Sequence, residues 1–326
     1  MNHMIVTRRR ALGTALALPF ISTARAQTWA PTRPVRIVVP FQGGGATDLT
    51  ARLLAERLTP MLGQPVVVDN RPGAGGNLGA ENIARSEPDG HSLLMCTIGT
   101  ASINQFLYSR MPFRQDELAA VALVNLVANG IIVHPSVPAT NLAELIAHAK
   151  ANPGRINYGT PGNGTSGHLS GEYLKVRAGI DVTHVPYRGT GGVVPDLLSG
   201  NIQMAVDNLP AYLQHVRAGT LKLLAVTSAQ RWFAVPETPT VQEAGIANFE
   251  AVAWFGVQAP ARMPAAIMAR YASAIAEISA DPAVIARQRQ IGAEPRPLGP
   301  AEFEAFIRAE NEKWREVVRV SGAKLD

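Results

Sequence analysis

The chain has 326 residues, one cysteine and a net charge of +5 at neutral pH. A single cysteine cannot form a disulfide within the chain, so packing must stabilise the fold. Residues 1–26 hold four of the 30 basic residues and no acidic one, which leaves 26 basic against 25 acidic side chains in the remainder. A nucleic-acid binder should carry a clustered basic face, and no Lys/Arg-rich run follows residue 26. The composition therefore argues against nucleic acid as a partner.

The first 26 residues have the three parts of a secretory signal. The basic stretch 8–10 precedes the apolar run 11–21 and the small-residue sequence Ala24-Arg25-Ala26. The apolar run is much shorter than the roughly 20 residues that span a bilayer, so we expect cleavage after about Ala26. The pair Arg8-Arg9 leaves both the Sec and the twin-arginine export routes open. The mature protein is predicted to comprise residues 27–326.

Strand and helix patterns alternate at the start of the mature chain. A β-branched run at 35–39 is followed by a Gly-rich loop and by leucines at helical spacing from Leu49 to Leu62. Further patterns predict a strand at 66–68, a helix at 78–85 and a strand at 92–96. This β-α-β-α-β order predicts a parallel sheet with right-handed crossovers.

The alternation restarts near residue 131. Strands are predicted at 131–133, 156–158, 182–185, 203–206, 221–226 and 252–257, and helices at 142–149, 168–176, 189–198, 211–218, 264–279, 282–290 and 300–320. Two α/β lobes joined by short crossings predict a cleft at the carboxyl ends of both sheets. We assign residues 27–124 plus 252–326 to the first lobe and residues 125–251 to the second.

A glycine-rich loop links a strand to a helix in each predicted lobe, at residues 40–48 and 158–168. Such a loop directs free backbone N–H groups and the positive end of a helix at one point, which favours an anion. Neither loop contains Arg or Lys, so backbone dipoles rather than a salt bridge should hold the anion. One such loop alone is more often a tight turn with a helix cap. The matched pair indicates a ligand site, and Thr165→Val is expected to weaken carboxylate binding.

The loop Gly162-x-Gly164-x-x-Gly167 also fits the dinucleotide-binding pattern. In that fold an acidic residue ends the next strand about 20 residues on, whereas here Asp181 begins the strand and His184-Val185-Pro186 ends it. An exported nucleotide-dependent enzyme is therefore an alternative that lacks its acidic partner.

Other reactive side chains form no recognisable catalytic or metal site. His168 and Glu172 share a helix face but supply only two ligands, too few for zinc. Asp207-Asn208, at a strand end, would suit the ammonium group of an amino-acid ligand, whereas Asp48 is placed to cap a helix. No catalytic residue, metal or cofactor is predicted.

A series of motifs follows through the mature chain in a fixed order: PVRIVVPF at 34–41 with GGATD at 44–48, VVVDNRPGAGG at 66–76, PDG at 88–90, YGT to HL at 158–169, HVPYRG at 184–189, LAVTS at 224–228, and WFG before AP at 254–260. Together these motifs resemble the Bug family, also called TctC-like. Its members are the periplasmic receptors of tripartite tricarboxylate transporters. The likeness covers essentially the whole mature chain.

The resemblance implies a type II-like, two-lobe Venus-flytrap fold with two crossing strands and a ligand carboxylate held between the lobes, partly through water. It points to contacts in the first lobe at Phe41, Gln42, Gly44, Ala46, Thr47, Asp48, Thr97 and Gly99, and in the second at Thr160, Asn163, Thr165, His168 and Asp207. It further implies a periplasmic, non-enzymatic monomer. Such a receptor passes a small carboxylate or amino acid to the permease subunits of a transporter.

Three departures from the family pattern leave the solute open. Gln42 stands at a commonly small position, Cys96-Thr97-Ile98 replaces a run that is often Ser-rich, and Ala128-Asn129 replaces a stretch that commonly contains proline. Citrate, other di- and tricarboxylates, aromatic acids and amino acids all remain candidates. A sensor subunit that presents its closed form to a signalling receptor is the alternative role.

Overall fold

The computed structural model describes Met1 and residues 29–326. Apart from Met1, the predicted export signal at residues 1–26 lies outside the described residues. Within the part of the chain that is described, no helix is both long enough and apolar enough to cross a membrane.

Residues 29–326 form ten β-strands and ten α-helices. The strands are β1 (Val35–Val39), β2 (Val66–Asn70), β3 (Ser92–Thr97), β4 (Leu118–Val133), β5 (Asn157–Thr160), β6 (Thr183–Pro186), β7 (Met204–Asn208), β8 (Lys222–Val226), β9 (Val252–Pro260) and β10 (Glu294–Leu298). The helices are α1 (Ala46–Leu62), α2 (Asn77–Ala84), α3 (Asn104–Leu107), α4 (Leu142–Ala151), α5 (Ser166–Ala178), α6 (Thr190–Leu198), α7 (Leu213–Arg217), α8 (Ala265–Ala280), α9 (Pro282–Gln290) and α10 (Pro300–Ser321).

The first lobe is built on a mixed sheet with the strand order β2-β1-β3-β9-β4-β10. Strand β1 is parallel to β2 and β3, which confirms the predicted β-α-β-α-β unit. Strands β3 and β9, β9 and β4, and β4 and β10 pair antiparallel. Strand β10 was missed because Pro295 and Pro297 disfavour a strand, and prolines are tolerated at a sheet edge such as this one.

The second lobe has the strand order β6-β5-β7-β4-β8, in which β5 is parallel to β6 and β7. Strand β4 belongs to both sheets. The sequence predicted only its last three residues, because both faces of the strand are largely buried and the polar-apolar alternation of a half-exposed strand is absent. Asn125 and Asn129 also interrupt its apolar run.

Strand β4 carries the chain from one lobe to the other. It pairs with β9 as far as Ala128 and with β7 from Asn129 onward. The return passage, residues 227–251, rejoins it where the Thr227 N–H donates to the Asn129 carbonyl at 3.0 Å. The architecture is the predicted two-lobe α/β fold. The predicted lobe boundary at residues 124/125 lies close to this change of partner and stays a prediction.

Each lobe has its own apolar core. Helices α1 and α8 pack on the first sheet through residues such as Leu54 and Ile275, and α4 packs on the second through Leu145. Leu169 of α5 joins a first-lobe cluster that includes Trp314 of α10. The two lobes therefore touch on one side through apolar packing, while their strand ends face each other across a cleft.

Candidate ligand-binding cleft

The first-lobe wall of the cleft is the start of α1. The helix begins at Ala46 after Gly45, and no side chain caps it. Leu49 is the first residue whose N–H bonds within the helix, to the Gly45 carbonyl. The N–H groups that precede it in a helix have no intrahelical partner and carry the positive end of the helix dipole. This end of α1 is thus available to an anion.

Asp48 holds the loop before α1 in place. Its carboxylate accepts hydrogen bonds from the Gly44 N–H at 3.0 Å, from Arg52 Nε at 2.9 Å and from Asn70 Nδ2 at 3.0 Å. Burial by itself opposes ionisation of this carboxyl, but the three hydrogen bonds outweigh it and hold the pKa below its ordinary value. Asp48 is predicted from the resemblance to contact the ligand, yet the structure turns it into the loop.

The second-lobe wall is the start of α5, and its loop is organised by neutral groups. The Thr165 hydroxyl accepts from the His168 N–H at 3.3 Å and donates to the Gly162 carbonyl at 2.7 Å. His168 Nδ1 accepts from the Gly164 N–H at 3.2 Å. Thr165 is therefore the helix cap, and it leaves the N–H of Ser166 at the mouth of the helix.

Two stacked histidines stand behind this wall. The rings of His168 and His184 lie 4.3 Å apart, and His184 Nε2 is 2.8 Å from the Thr160 hydroxyl. Burial lowers the pKa of His168 to about 4, and burial together with repulsion from His168 in its protonated form lowers the pKa of His184 to about 3. Both imidazoles are neutral near pH 7, so they act as hydrogen-bonding supports rather than as cations for the ligand.

A third helix start, that of α6, enters the cleft at Thr190. Its hydroxyl donates to the fully buried carboxyl of Asp207 at 3.2 Å, and that carboxyl also accepts from the Asn208 N–H and from Tyr212 Oη. Burial raises the pKa of Asp207 to about 7 against these hydrogen bonds. Asp207 therefore orients Thr190 and Asn208 from behind.

An amide cluster connects the crossing strand to the second wall. Asn129 Oδ1 on β4 accepts from Asn208 Nδ2 at 2.7 Å and from the Ser166 hydroxyl at 3.0 Å. Asn129 is fully buried, so these bonds satisfy an oxygen that water cannot reach. The interruption of an apolar run by Asn129 is the sequence signal for this cluster, and Asn129 is also one of the departures from the family pattern.

The three helix starts meet in a cavity of about 430 Å³, counted out to the solvent. Its lining residues are Phe41, Gln42, Gly45, Ala46, Thr47, Thr97, Ile98, Gly99, Pro161, Thr165, Ser166, Thr190, Asn208, Ala253 and Phe255. None of these described residues has a charged side chain. The arrangement offers backbone and hydroxyl donors to an anion without a counter-ion.

The predicted contact residues fall into two groups. Those that line the cavity are Phe41, Gln42, Ala46, Thr47, Thr97, Gly99 and Thr165. Those that stand outside it are Asp48, Thr160, His168 and Asp207, which support the walls, Gly44 on an adjoining groove, and Asn163 in a neighbouring chamber. Two of the three departures from the family pattern face the cavity, one through Gln42 and the other through Thr97 and Ile98, and they are placed to influence the choice of solute.

Sequence reasoning missed several lining residues. Thr190 lies within the Gly-rich turn 189–192, which could have been treated as a third anion-binding loop because it also opens a helix. Ala253 and Phe255 come from β9, where nothing in the apolar run distinguishes a cavity residue from a core residue.

A family model described as the tripartite tricarboxylate transporter family receptor, TctC, matches residues 50–323. This chain belongs to the TctC family. It is 36% identical over 325 residues to the protein BugT of Bordetella pertussis, with 99% of this chain and 100% of BugT covered. Among TctC-like solved structures, it resembles R. palustris Rpa4515 with adipate (TM-score 0.88, 36% identity, 90% of this chain and 99% of that chain). It also resembles MatC of Rhodopseudomonas palustris with bound malate (TM-score 0.84, 31% identity, 88% and 99%).

These findings confirm the family predicted from the motifs. TctC proteins and their structural neighbours are solute-binding proteins rather than enzymes, so the glycine pattern at 162–167 has a different use from a dinucleotide fingerprint. In the cleft it shapes the second-lobe wall. Within residues 29–326, His, Cys, Asp and Glu form no group of three or more that could hold a metal.

Proposed function

We propose that this chain is a periplasmic receptor that closes on a small carboxylate and delivers it to the membrane subunits of a tripartite tricarboxylate-type transporter. The observation that carries the proposal is the convergence of three helix starts on one uncharged cavity between the lobes. Helix N-termini stabilise anions through free N–H groups and the helix dipole. The adipate and malate held by the two structural neighbours support a carboxylate as the solute.

The contacts between the lobes suit a receptor that must also release its ligand. The Gln42 N–H of the first lobe donates to the Arg188 carbonyl of the second at 3.0 Å, so backbone groups join the lobes beside the cavity. An anion held by donors from both walls would favour the closed form, and hinge closure is the usual motion of such lobes. No charged side chain lines the cavity. When the lobes open, no cationic side chain therefore remains at the cavity to hold the anion.

Calorimetry on residues 27–326 tests the proposal. The protein is unfolded and refolded to remove any bound solute, and is then titrated with adipate, malate, glutamate and NAD. We expect saturable binding of at least one carboxylate, a rise in its melting temperature by mass action, and no response to NAD. Binding of NAD alone, or of none of the four, would contradict the proposal. Uptake of the bound acid by cells with and without this gene tests the delivery step.

A substitution at Thr165 tests whether the second wall holds the anion. Removing the cap hydroxyl in Thr165→Val should weaken carboxylate binding about fivefold, since a helix cap contributes roughly 1 kcal/mol. Thr165→Ser keeps the hydroxyl and serves as the control, with affinity close to that of the wild type. Equal affinities for all three proteins would show that this helix start does not contribute to binding.

A further inference from the structure

A second groove between the lobes adjoins the ligand cavity at Thr190, which lines both spaces. We call it the lateral groove, and it encloses about 1010 Å³, counted out to the solvent. Both lobes form its walls. The first lobe contributes Gly44, Leu49, Gln290 and Ile291, and the second contributes residues between 190 and 195 and between 210 and 217.

One side of the lateral groove is fixed beside the crossing strands. Trp232 belongs to the same apolar cluster as Ala128 of β4, and its Nε1 donates to the Gly292 carbonyl of the first lobe at 2.8 Å. Gly292 follows Ile291 of the groove, and a Cβ at Gly292 would lie 2.6 Å from Leu213 of the second lobe. Groups close to a hinge move little when two lobes rotate about it, so this side of the groove should persist in the open form.

The opposite side of the groove depends on closure of the lobes. Gly44 and Gly191 line it, and a Cβ at Gly191 would lie 2.8 Å from the Gly43 carbonyl, so the two backbones are in contact. Opening separates them, because they belong to the two faces that enclose the ligand. The groove is therefore complete only in the closed form, and a partner that fits it would distinguish the closed receptor from the open one.

The lateral groove is apolar inside and basic at its rim. The exposed side chain of Arg217 lines it from the second lobe. From the first lobe, Arg287 Nη1 donates to Oε1 of the exposed Gln290 at 2.6 Å, which brings a second guanidinium to the rim. Neither guanidinium forms an ion pair within residues 29–326, and no acidic side chain is among the described lining residues. The less exposed walls are apolar: Leu49, Val194, Leu213 and Ile291.

This chemistry fits a protein segment better than a lipid surface. Juxtamembrane segments that bind anionic lipids carry clusters of about four to eight basic residues, whereas the groove presents two guanidinium groups. A flat lipid surface also cannot reach apolar walls that lie inside a groove. A protruding segment with an acidic residue and apolar neighbours would satisfy both the rim and the walls.

Building on the proposed function, we propose that the lateral groove is the surface through which the closed receptor docks on the membrane subunits of its transporter. The occupant is an acidic segment of those subunits with apolar neighbours. A ligand that closes the lobes completes the groove, so the loaded receptor docks in preference to the empty one. Arg217 and Arg287 attract the segment from both lobes, and the ligand cavity remains free of charged side chains.

Uptake measurements separate docking from ligand binding. The acid is the one that binds most tightly among adipate, malate and glutamate, and each variant replaces the wild-type gene in the cell. Arg217→Glu should lower the uptake rate about tenfold, because a reversed charge repels an acidic segment. Calorimetry should show less than about a twofold change in affinity for the acid, since Arg217 does not line the ligand cavity.

Two control variants address charge at Arg217. Arg217→Lys keeps the positive charge and should retain uptake within about threefold of the wild type. Arg155→Glu reverses the charge of another exposed arginine of the second lobe, one that does not line the groove, and should take up the acid at the wild-type rate.

A bulky side chain provides a second test that does not depend on charge. Gln214 is exposed on α7 and lines the groove, so Gln214→Trp fills part of the groove without removing a core contact. Uptake should fall about fivefold while the affinity for the acid stays within about twofold of the wild type. This variant remains informative if Arg217→Glu disturbs α7.

Cross-linking identifies the occupant. The one native cysteine, Cys96, is fully buried, so Gln214→Cys supplies a single accessible thiol for a benzophenone maleimide label. In proteoliposomes that contain the membrane subunits, cross-links to a subunit should rise at least about fivefold when the acid is added, the lower end of coupling between two sites. The same label at Lys150→Cys, on an exposed position of α4, is the control and should give no acid-dependent product.

The outcomes separate the two proposals. Wild-type uptake by Arg217→Glu and Gln214→Trp, a parallel loss of acid affinity in both, or cross-links that do not depend on the acid would overturn the groove as the docking surface and leave the receptor function in place. Cross-links only to a second receptor molecule or only to lipid would also overturn it. Failure of the refolded wild type to bind any of the acids would count against the proposed function itself, and the docking surface would fall with it.

Discussion

The two walls of the cleft present the same donors but are held by different chemistry. In the first lobe, an ionised network of Asp48, Arg52 and Asn70 fixes the loop before α1. In the second, neutral hydroxyl and imidazole groups of Thr165 and His168 fix the loop before α5. Neither set of side chains places a charge in the cavity. Because one wall is held by ionised groups and the other by neutral groups, substitutions and changes of pH should affect the two walls differently.

The largest expected effect is at the ionised wall. Asp48→Ala removes the acceptor of three hydrogen bonds and should lower the free energy of unfolding by about 3 kcal/mol, as estimated for hydrogen bonds to a charged group. Carboxylate affinity should fall with it, because residues 43–45 lose their anchor. Chemical denaturation and calorimetry measure the two effects. Glu56→Ala, which removes an exposed carboxylate of the same helix, is the control and should change neither quantity appreciably.

A pH titration addresses the neutral wall. The folded state keeps His168 and His184 uncharged, with pKa values of about 4 and about 3, whereas an unfolded histidine titrates near pH 6.5. Their contribution to stability is therefore full above pH 6.5 and is lost as the pH falls toward those values. Three other groups face the pair: the Tyr158 ring packs on His184, and Glu172 and Lys175 form an ion pair at 3.0 Å.

His184→Gln keeps a donor and an acceptor near Thr160 without a titrating ring. The wild type should lose about 1–2 kcal/mol of stability between pH 7 and pH 5 through His184, and the variant should lack that part of the slope. Melting temperatures at both pH values measure it. His148→Gln, on α4 of the same lobe, is the matched control. Parallel pH profiles for the wild type and His184→Gln would show that the imidazole is not held neutral by the fold.

The last effect concerns the place where the two walls touch, between Gly191 and Gly43. A side chain at Gly191 of α6 would place its Cβ 2.8 Å from the Gly43 carbonyl of the first lobe, closer than carbon normally approaches. Gly191→Ala should therefore hinder closure and weaken carboxylate binding about tenfold, or about 1.4 kcal/mol. The free energy of unfolding of the unliganded protein should stay the same or rise slightly, because alanine favours a helix.

The control is Gly299→Ala. A Cβ at Gly299 would have its nearest neighbouring atom 4.0 Å away, so this variant should bind the carboxylate with wild-type affinity. Unchanged affinity for Gly191→Ala would mean that closure does not bring these backbones together.

Local patterns were sufficient for elements that fold against one face of a sheet. Helix α9 was predicted with its observed bounds, since Pro282 marks its start and the helix ends at Gln290. Strand β4 was predicted only in part because a strand buried on both faces has no alternation to detect. Strand β10 was missed because two prolines argue against a strand, and only its position at the edge of the sheet makes them acceptable.

By itself, the sequence determined the family, the two-lobe fold and the loops that form both walls, because glycine, hydroxyl and strand-end patterns are local. Tertiary structure alone decided which residues face the ligand cavity. It turned Asp48 and His168 away into supporting bonds and brought Thr190, Asn208 and Phe255 in, because burial and pairing between distant strands are not written in any local pattern. It also placed Leu49, Arg217 and Gln290 around one groove, although these residues lie far apart in the chain.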